Sequence, residues 1–68
     1  MEQATGTVTD FDDPRGVGEV TADDGRRLLF HCTSIADGTR TIAPGTRVAF
    51  GVVAGLPGRW EAVAIRPA

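Results

Sequence analysis

The sequence predicts an all-β domain, a small five-stranded antiparallel barrel, and three observations carry that expectation. Five short runs are rich in Val, Thr, Ile, Leu and aromatic residues; clusters of Gly, Pro and Asp separate them; and no segment has the 3.6-residue apolar repeat of a long amphipathic helix. At 68 residues (1–68) the chain is expected to be one domain, and a domain of this size buries only about 60% of the surface its unfolded chain exposes. So small a core leaves little scaffold for a deep catalytic pocket, so a binding module is expected rather than an enzyme.

The first strand is expected over residues 6–11, where Thr and Val dominate, and the turn signal Asp12-Asp13-Pro14-Arg15-Gly16 ends it. A second, Gly-punctuated strand over 17–21 leads through Asp23-Asp24-Gly25 to a third, apolar strand over 28–32. Thr33-Ser34-Ile35-Ala36 has room for a single helical turn closing on Gly38. Beyond the Ala43-Pro44-Gly45 turn lie a fourth strand over 46–53, the turn Gly55-Leu56-Pro57-Gly58, and a fifth strand over 60–65. Closing such short strands into a barrel removes exposed sheet edges, and the oligonucleotide-binding barrel is the natural small candidate.

Alternation along strands sorts the side chains into two faces. Val8, Val20, Leu28, Phe30, Val48, Phe50, Val52 and Ile65 make the expected core. The opposite face gathers Val17, Glu19, Leu29 and His31, with Asp10 and Phe11 on the neighbouring strand.

Net charge is −2, but it is segregated along the chain: residues 1–24 hold seven acids against Arg15, a balance of −6, and residues 25–68 hold Asp37 and Glu61 against six arginines, a balance of +4. A uniform basic footprint for a polyanion is therefore absent. Every basic residue is arginine, the side chain suited to phosphate forks and to stacking on base planes. The N-terminus lacks a basic segment followed by an apolar run, and no stretch approaches the roughly 20 apolar residues that span a bilayer, so a cytoplasmic protein without membrane contact is expected. Cys32 is the sole cysteine, in keeping with a reducing compartment. Its neighbour His31 points the other way on a strand, so no catalytic dyad is expected; redox sensing or an intermolecular disulfide stays open beside an inert thiol. One His and one Cys with scattered carboxylates make no zinc-ligand spacing, so neither metal nor other cofactor is expected.

Two stretches carry the functional signal: Arg15-Gly16-Val17-Gly18-Glu19-Val20 and Leu28-Leu29-Phe30-His31-Cys32. With Gly6-Thr7-Val8, Phe11, Asp24-Gly25, Gly38-Thr39-Arg40-Thr41, Gly45, Val48 and the closing Ile65-Arg66-Pro67, they give a pattern that resembles the bacterial cold-shock domain along nearly the whole chain. That family has Lys-Gly-Phe-Gly-Phe-Ile in its first motif and Val-Phe-Val-His-Phe in its second. The resemblance implies a five-stranded Greek-key barrel of the oligonucleotide-binding type that binds single-stranded RNA or DNA. Phe11, Arg15 and His31 match positions where the family contacts nucleic acid, and Arg40 keeps a basic residue in the following loop. The stacking planes are thinned: Asp10 stands where the family has tryptophan, Val17, Glu19, Leu29 and Cys32 where it has phenylalanine, and Thr39 where an aromatic is common.

Trp60, the one tryptophan, follows Arg59 beyond the last turn, and the pair offers a displaced stacking platform with a phosphate contact. Each candidate also has an ordinary assignment: Phe11 packing against a loop, His31 a structural histidine, Arg15, Arg40 and Arg59 solvated charges, Trp60 a rim or cap of the core. Two functions follow. One is a divergent cold-shock-like protein, a regulator of transcription or RNA structure, that binds single-stranded nucleic acid weakly and in a salt-sensitive way through Phe11, Arg15, His31, Arg40, Arg59 and Trp60. The other keeps the barrel but uses the apolar patch of Val17, Leu29 and Cys32, rimmed by Asp10, Glu19 and Arg15, for a protein partner or a homodimer.

Overall fold

The computed structural model describes residues 2–55 and 59–68. Five strands form where the alternation places them: β1 (Glu2–Asp12), β2 (Val17–Ala22), β3 (Arg27–His31), β4 (Arg47–Ala54) and β5 (Trp60–Pro67). β1 begins four residues before the expected start, because its first half pairs with β4 (Ala4 opposite Phe50) and its second half with β2 (Val8 opposite Val20). The helical turn is a single 3-10 turn over Cys32–Ser34. The turn expected over Gly55-Leu56-Pro57-Gly58 lies, from Leu56 to Gly58, outside the described residues.

The sheet closes as a barrel in the order β1-β2-β3-β5-β4. Four of the five seams are antiparallel. Because β2 and β4 both run against β1, while β3 runs against β2 and β5 against β4, the closing strands β3 and β5 run the same way. The last seam, with Leu29 opposite Glu61, is therefore parallel, and the Ile35–Ile65 bridge continues it.

All eight residues assigned to the core by alternation are buried, Val8, Val20, Leu28 and Phe50 completely. Ala22, Ile35 and Ala62 complete it. Burying each Val, Leu, Ile or Phe contributes roughly 1.5–3 kcal/mol. Among the described residues no polar or charged residue is buried, so the barrel is held by apolar packing and its backbone ladders.

One irregularity sets up the outer face. Strict alternation from the buried Val8 would turn Asp10 inward and Phe11 outward, but the register of β1 against β2 slips between Val8 and Asp10. This bulge leaves Thr9 as the extra residue and reverses the phase: Asp10 pairs with Glu19, Phe11 with Gly18 and Asp12 with Val17. Two carboxylates are kept out of the core, where an unpaired charge would be costly, and Phe11 turns inward.

The charge segregation of the sequence is partly cancelled in space. Arg26 bridges Glu2 and Asp24. Arg47 forks onto Asp23 at 2.7 and 2.9 Å, and the Thr5 hydroxyl donates to the same carboxylate. The Arg66 guanidinium donates to Gln3 Oε1 at 2.8 Å. These contacts tie the start of β1 to the β2–β3 turn, β4 and β5. The Arg26 hydrogen bond holds the Glu2 carboxyl below its ordinary pKa, and the Arg47 fork does the same for Asp23.

Candidate functional site

The reversed phase of β1 aligns two cross-strand rows on the outside of the barrel. Asp10, Glu19, Leu29 and Glu61 lie side by side on β1, β2, β3 and β5. One step toward the β1–β2 turn, Asp12, Val17 and His31 form the second row. At the usual strand separation the first row spans roughly 14 Å. Together the rows line a groove of about 430 Å³, toward the lower end of the roughly 300–1,000 Å³ of ligand sites.

The turn preceding β2 positions one wall. Gly16 adopts φ 67°, a left-handed conformation that glycine takes without penalty. Its N–H donates to the carbonyl of Asp12 at 2.8 Å, and its own carbonyl accepts from Cys32 N–H at 2.7 Å, which locks the turn to the end of β3. Arg15 thereby enters the groove from this turn. Arg59, just ahead of β5, also lines it.

The floor depends on a missing side chain. Phe11, Gly18 and Phe30 share an inner row, and a Cβ on Gly18 would lie 2.6 Å from both the Phe30 ring and the Asp10 carbonyl. Glycine lets the Phe30 ring pass beneath β2, where it serves both the core and the groove floor. Phe11 stacks on that ring with centroids 5.9 Å apart and planes 9° from parallel.

The six sequence candidates thus separate. Arg15, His31 and Arg59 are brought together in the groove. Phe11 stands behind it, packed against the core on Phe30. Arg40 is exposed in the segment between the 3-10 turn and β4, at φ 61°, and does not line the groove. Trp60 does not line it either: its ring lies 5.8 Å from the Arg26 guanidinium, a cation–π contact beside the Glu2 and Asp24 ion pairs.

Asp12 and Glu61 line the groove without having been singled out from sequence. The i, i+2 spacing from Asp10 to Asp12 is a signal once the bulge is known; for Glu61 only the long-range β3–β5 seam brings it in. With Asp10 and Glu19 they make four carboxylates against Arg15 and Arg59, a balance of −2 with His31 neutral. The ion pairs among the described residues fall elsewhere, on Arg26 and Arg47. Among these residues no group of three or more His, Cys, Asp or Glu side chains is placed to hold a metal ion, and no helix is long and apolar enough to cross a membrane.

Comparison with known proteins gives a consistent assignment. The family model described as 'Cold-shock' DNA-binding domain matches residues 4–68. The chain is 44% identical over 64 residues to "Glycine-rich protein 2" of Nicotiana sylvestris, covering 91% of this chain and 30% of that protein. It is 42% identical over 57 residues to "Cold shock-like protein CspA" of Stigmatella aurantiaca (strain DW4/3-1), covering 81% of this chain and 84% of that one. The solved structure "drosophila Unr CSD456" superposes with a TM-score of 0.81 at 26% identity, over 98% of this chain and 27% of that one. The chain therefore spans less than a third of the first of these relatives and most of the second.

Proposed function

The chain belongs to the cold-shock DNA-binding domain family, and we propose that it binds single-stranded RNA or DNA in the groove across β1, β2, β3 and β5, weakly and in a salt-sensitive way. One observation carries this. The outward residues of both motifs, Val17 and Glu19 from the first and Leu29 and His31 from the second, are cross-strand partners in a single groove that Arg15 and Arg59 also line.

The mechanism is contact without covalent chemistry. The His31 imidazole and the methyl groups of Val17 and Leu29 offer surface to base planes, and Leu29 is 41% exposed. The guanidinium groups of Arg15 and Arg59 meet phosphates at the rim. Phe11 acts from behind, holding Phe30 in the floor. Each aromatic plane that stacks a base is worth roughly 1–3 kcal/mol, so a groove with one imidazole binds far more weakly than one paved with aromatics. With two rim arginines, the slope of log K against log salt is expected near −1.4, about 0.7 per neutralised phosphate.

Fluorescence anisotropy with a labelled, mixed-sequence single strand at low salt tests the proposal. His31→Ala is expected to weaken binding about tenfold, and the R15A/R59A pair to remove most of the salt dependence. Affinity unchanged in both variants would refute the assignment of the groove.

A further inference from the structure

Resting on that proposed binding, we infer that the groove selects bases presenting hydrogen-bond donors, guanine foremost, over thymine and uracil, with Glu19 as a specificity-determining residue. The groove's side-chain chemistry is weighted toward acceptors. Among the described residues its acceptors are the carboxylates of Asp10, Asp12, Glu19 and Glu61, its side-chain donors are Arg15, Arg59 and His31, and no amide or hydroxyl side chain lines it. With the arginines drawn to phosphates, a base lying over Val17 and Leu29 faces acceptors.

Single-stranded bases are read on their exposed edges. Guanine offers adjacent N1–H and N2–H donors that match the two oxygens of one carboxylate; cytosine and adenine offer an exocyclic amine. Thymine and uracil offer one N3–H between two carbonyl oxygens, which a carboxylate repels. Glu19 is best placed to discriminate: it is half-buried in the middle of the row, between Asp10 and Leu29. Directly opposed like charges such as Asp10 and Glu19 destabilise a sheet, and among the described residues no ion pair relieves these two. A base donor shared between them would do so on binding.

The test uses four heptanucleotides, thymidine throughout except for a central dG, dC, dA or dT, titrated into the intact chain at pH 7 and low salt. Guanine is expected to bind about fivefold or more tightly than thymine, the discrimination of one good paired contact. Glu19→Gln, which keeps the shape, should bring that ratio toward one, whereas D13N, in the β1–β2 turn and outside the groove lining, should leave it unchanged. Equal or tighter binding of the all-thymidine strand would overturn the inference and leave nucleic-acid binding standing. So would an E19Q variant that binds all four strands more tightly with the ratio unchanged, the outcome if Glu19 only repels phosphate. Failure of all four strands to bind would overturn the proposed function itself, and the inference with it.

Discussion

Gly18→Ala is the sharpest structural test of how the groove is supported. The added Cβ would sit 2.6 Å from Phe30 Cζ, 2.8 Å from Phe30 Cε1 and 2.6 Å from the Asp10 carbonyl oxygen, whereas carbon atoms pack at about 3.5–4.0 Å. An opening of roughly 1 Å is needed on both sides at once. Neither side yields cheaply: Phe30 is only 2% exposed and pinned beneath the Phe11 ring, and the carbonyl belongs to the bulged backbone of β1. Overpacking a close-packed core costs about 1–3 kcal/mol. The smaller entropy of the unfolded Ala chain returns about 0.4–1 kcal/mol, leaving a net loss of about 1–2 kcal/mol. At roughly 0.05–0.15 kcal/mol per residue, a 68-residue domain holds about 3–10 kcal/mol, so the loss is a large fraction. Urea unfolding followed by Trp60 fluorescence should show the midpoint falling by about 0.5–2 M for an m-value of about 1–2 kcal/mol/M. Gly25→Ala is the control: nothing lies within 4 Å of its added Cβ, and only its φ of 95° opposes the change, so a loss of about 1 kcal/mol is expected. A Gly18→Ala variant within 0.5 kcal/mol of the parent by this assay would refute the assignment of a Phe11–Gly18–Phe30 floor.

Phe11→Leu separates support from stacking: if Phe11 only buttresses Phe30, affinity for single strands stays within about twofold, whereas loss of a base-stacking plane costs about tenfold. Ala64→Gly should raise stability by about 1 kcal/mol in the same urea assay, because Ala64 is exposed in β5 at φ 50°; an unchanged or lower midpoint would argue against strain there. Four carboxyls titrate below their ordinary range: Glu2 through its Arg26 hydrogen bond, Asp23 through Arg47, Asp24 through the Arg26 backbone N–H and Asp37 through the Thr39 backbone N–H. Groups depressed on folding contribute stability that is present above the unfolded pKa near 4 and lost as pH falls through the folded value. The thermal midpoint should therefore hold from pH 7 to about 5, fall below about 4, and fall less steeply in R47M, which removes the partner of Asp23; equal slopes in the two proteins would contradict that assignment.

The strands and core were legible because period-2 alternation is local: Val48, Phe50 and Val52 declare their face within five residues, and the glycines around them mark the turns. Most of the groove was legible in the same way, Val17, Glu19, Leu29 and His31 among its lining, but Asp12, Glu61 and the inward turn of Phe11 were not. Nothing in Val8-Thr9-Asp10 marks a bulge, yet that one extra residue decides that Asp10 and Asp12 face outward while Phe11 faces in. Glu61 reaches the groove only through the parallel seam that closes the barrel. The separation of acids from arginines along the chain also misleads, since Arg26 and Arg47 fold back onto Glu2, Asp24 and Asp23. The basic half of the sequence is consequently no basic face, and the groove stays acidic.

An amide-shift NMR titration of the chain with mixed single-stranded oligonucleotides, at low and at moderate salt, tests nucleic-acid binding in this groove most directly. Shifts should concentrate on Val17, Glu19, Leu29 and His31, extend to Arg15 and Arg59, weaken as salt rises, and leave the amides around the Arg47–Asp23 pair still. No shifts at low salt, or shifts centred on Arg40 and Trp60 with the groove unchanged, would contradict it.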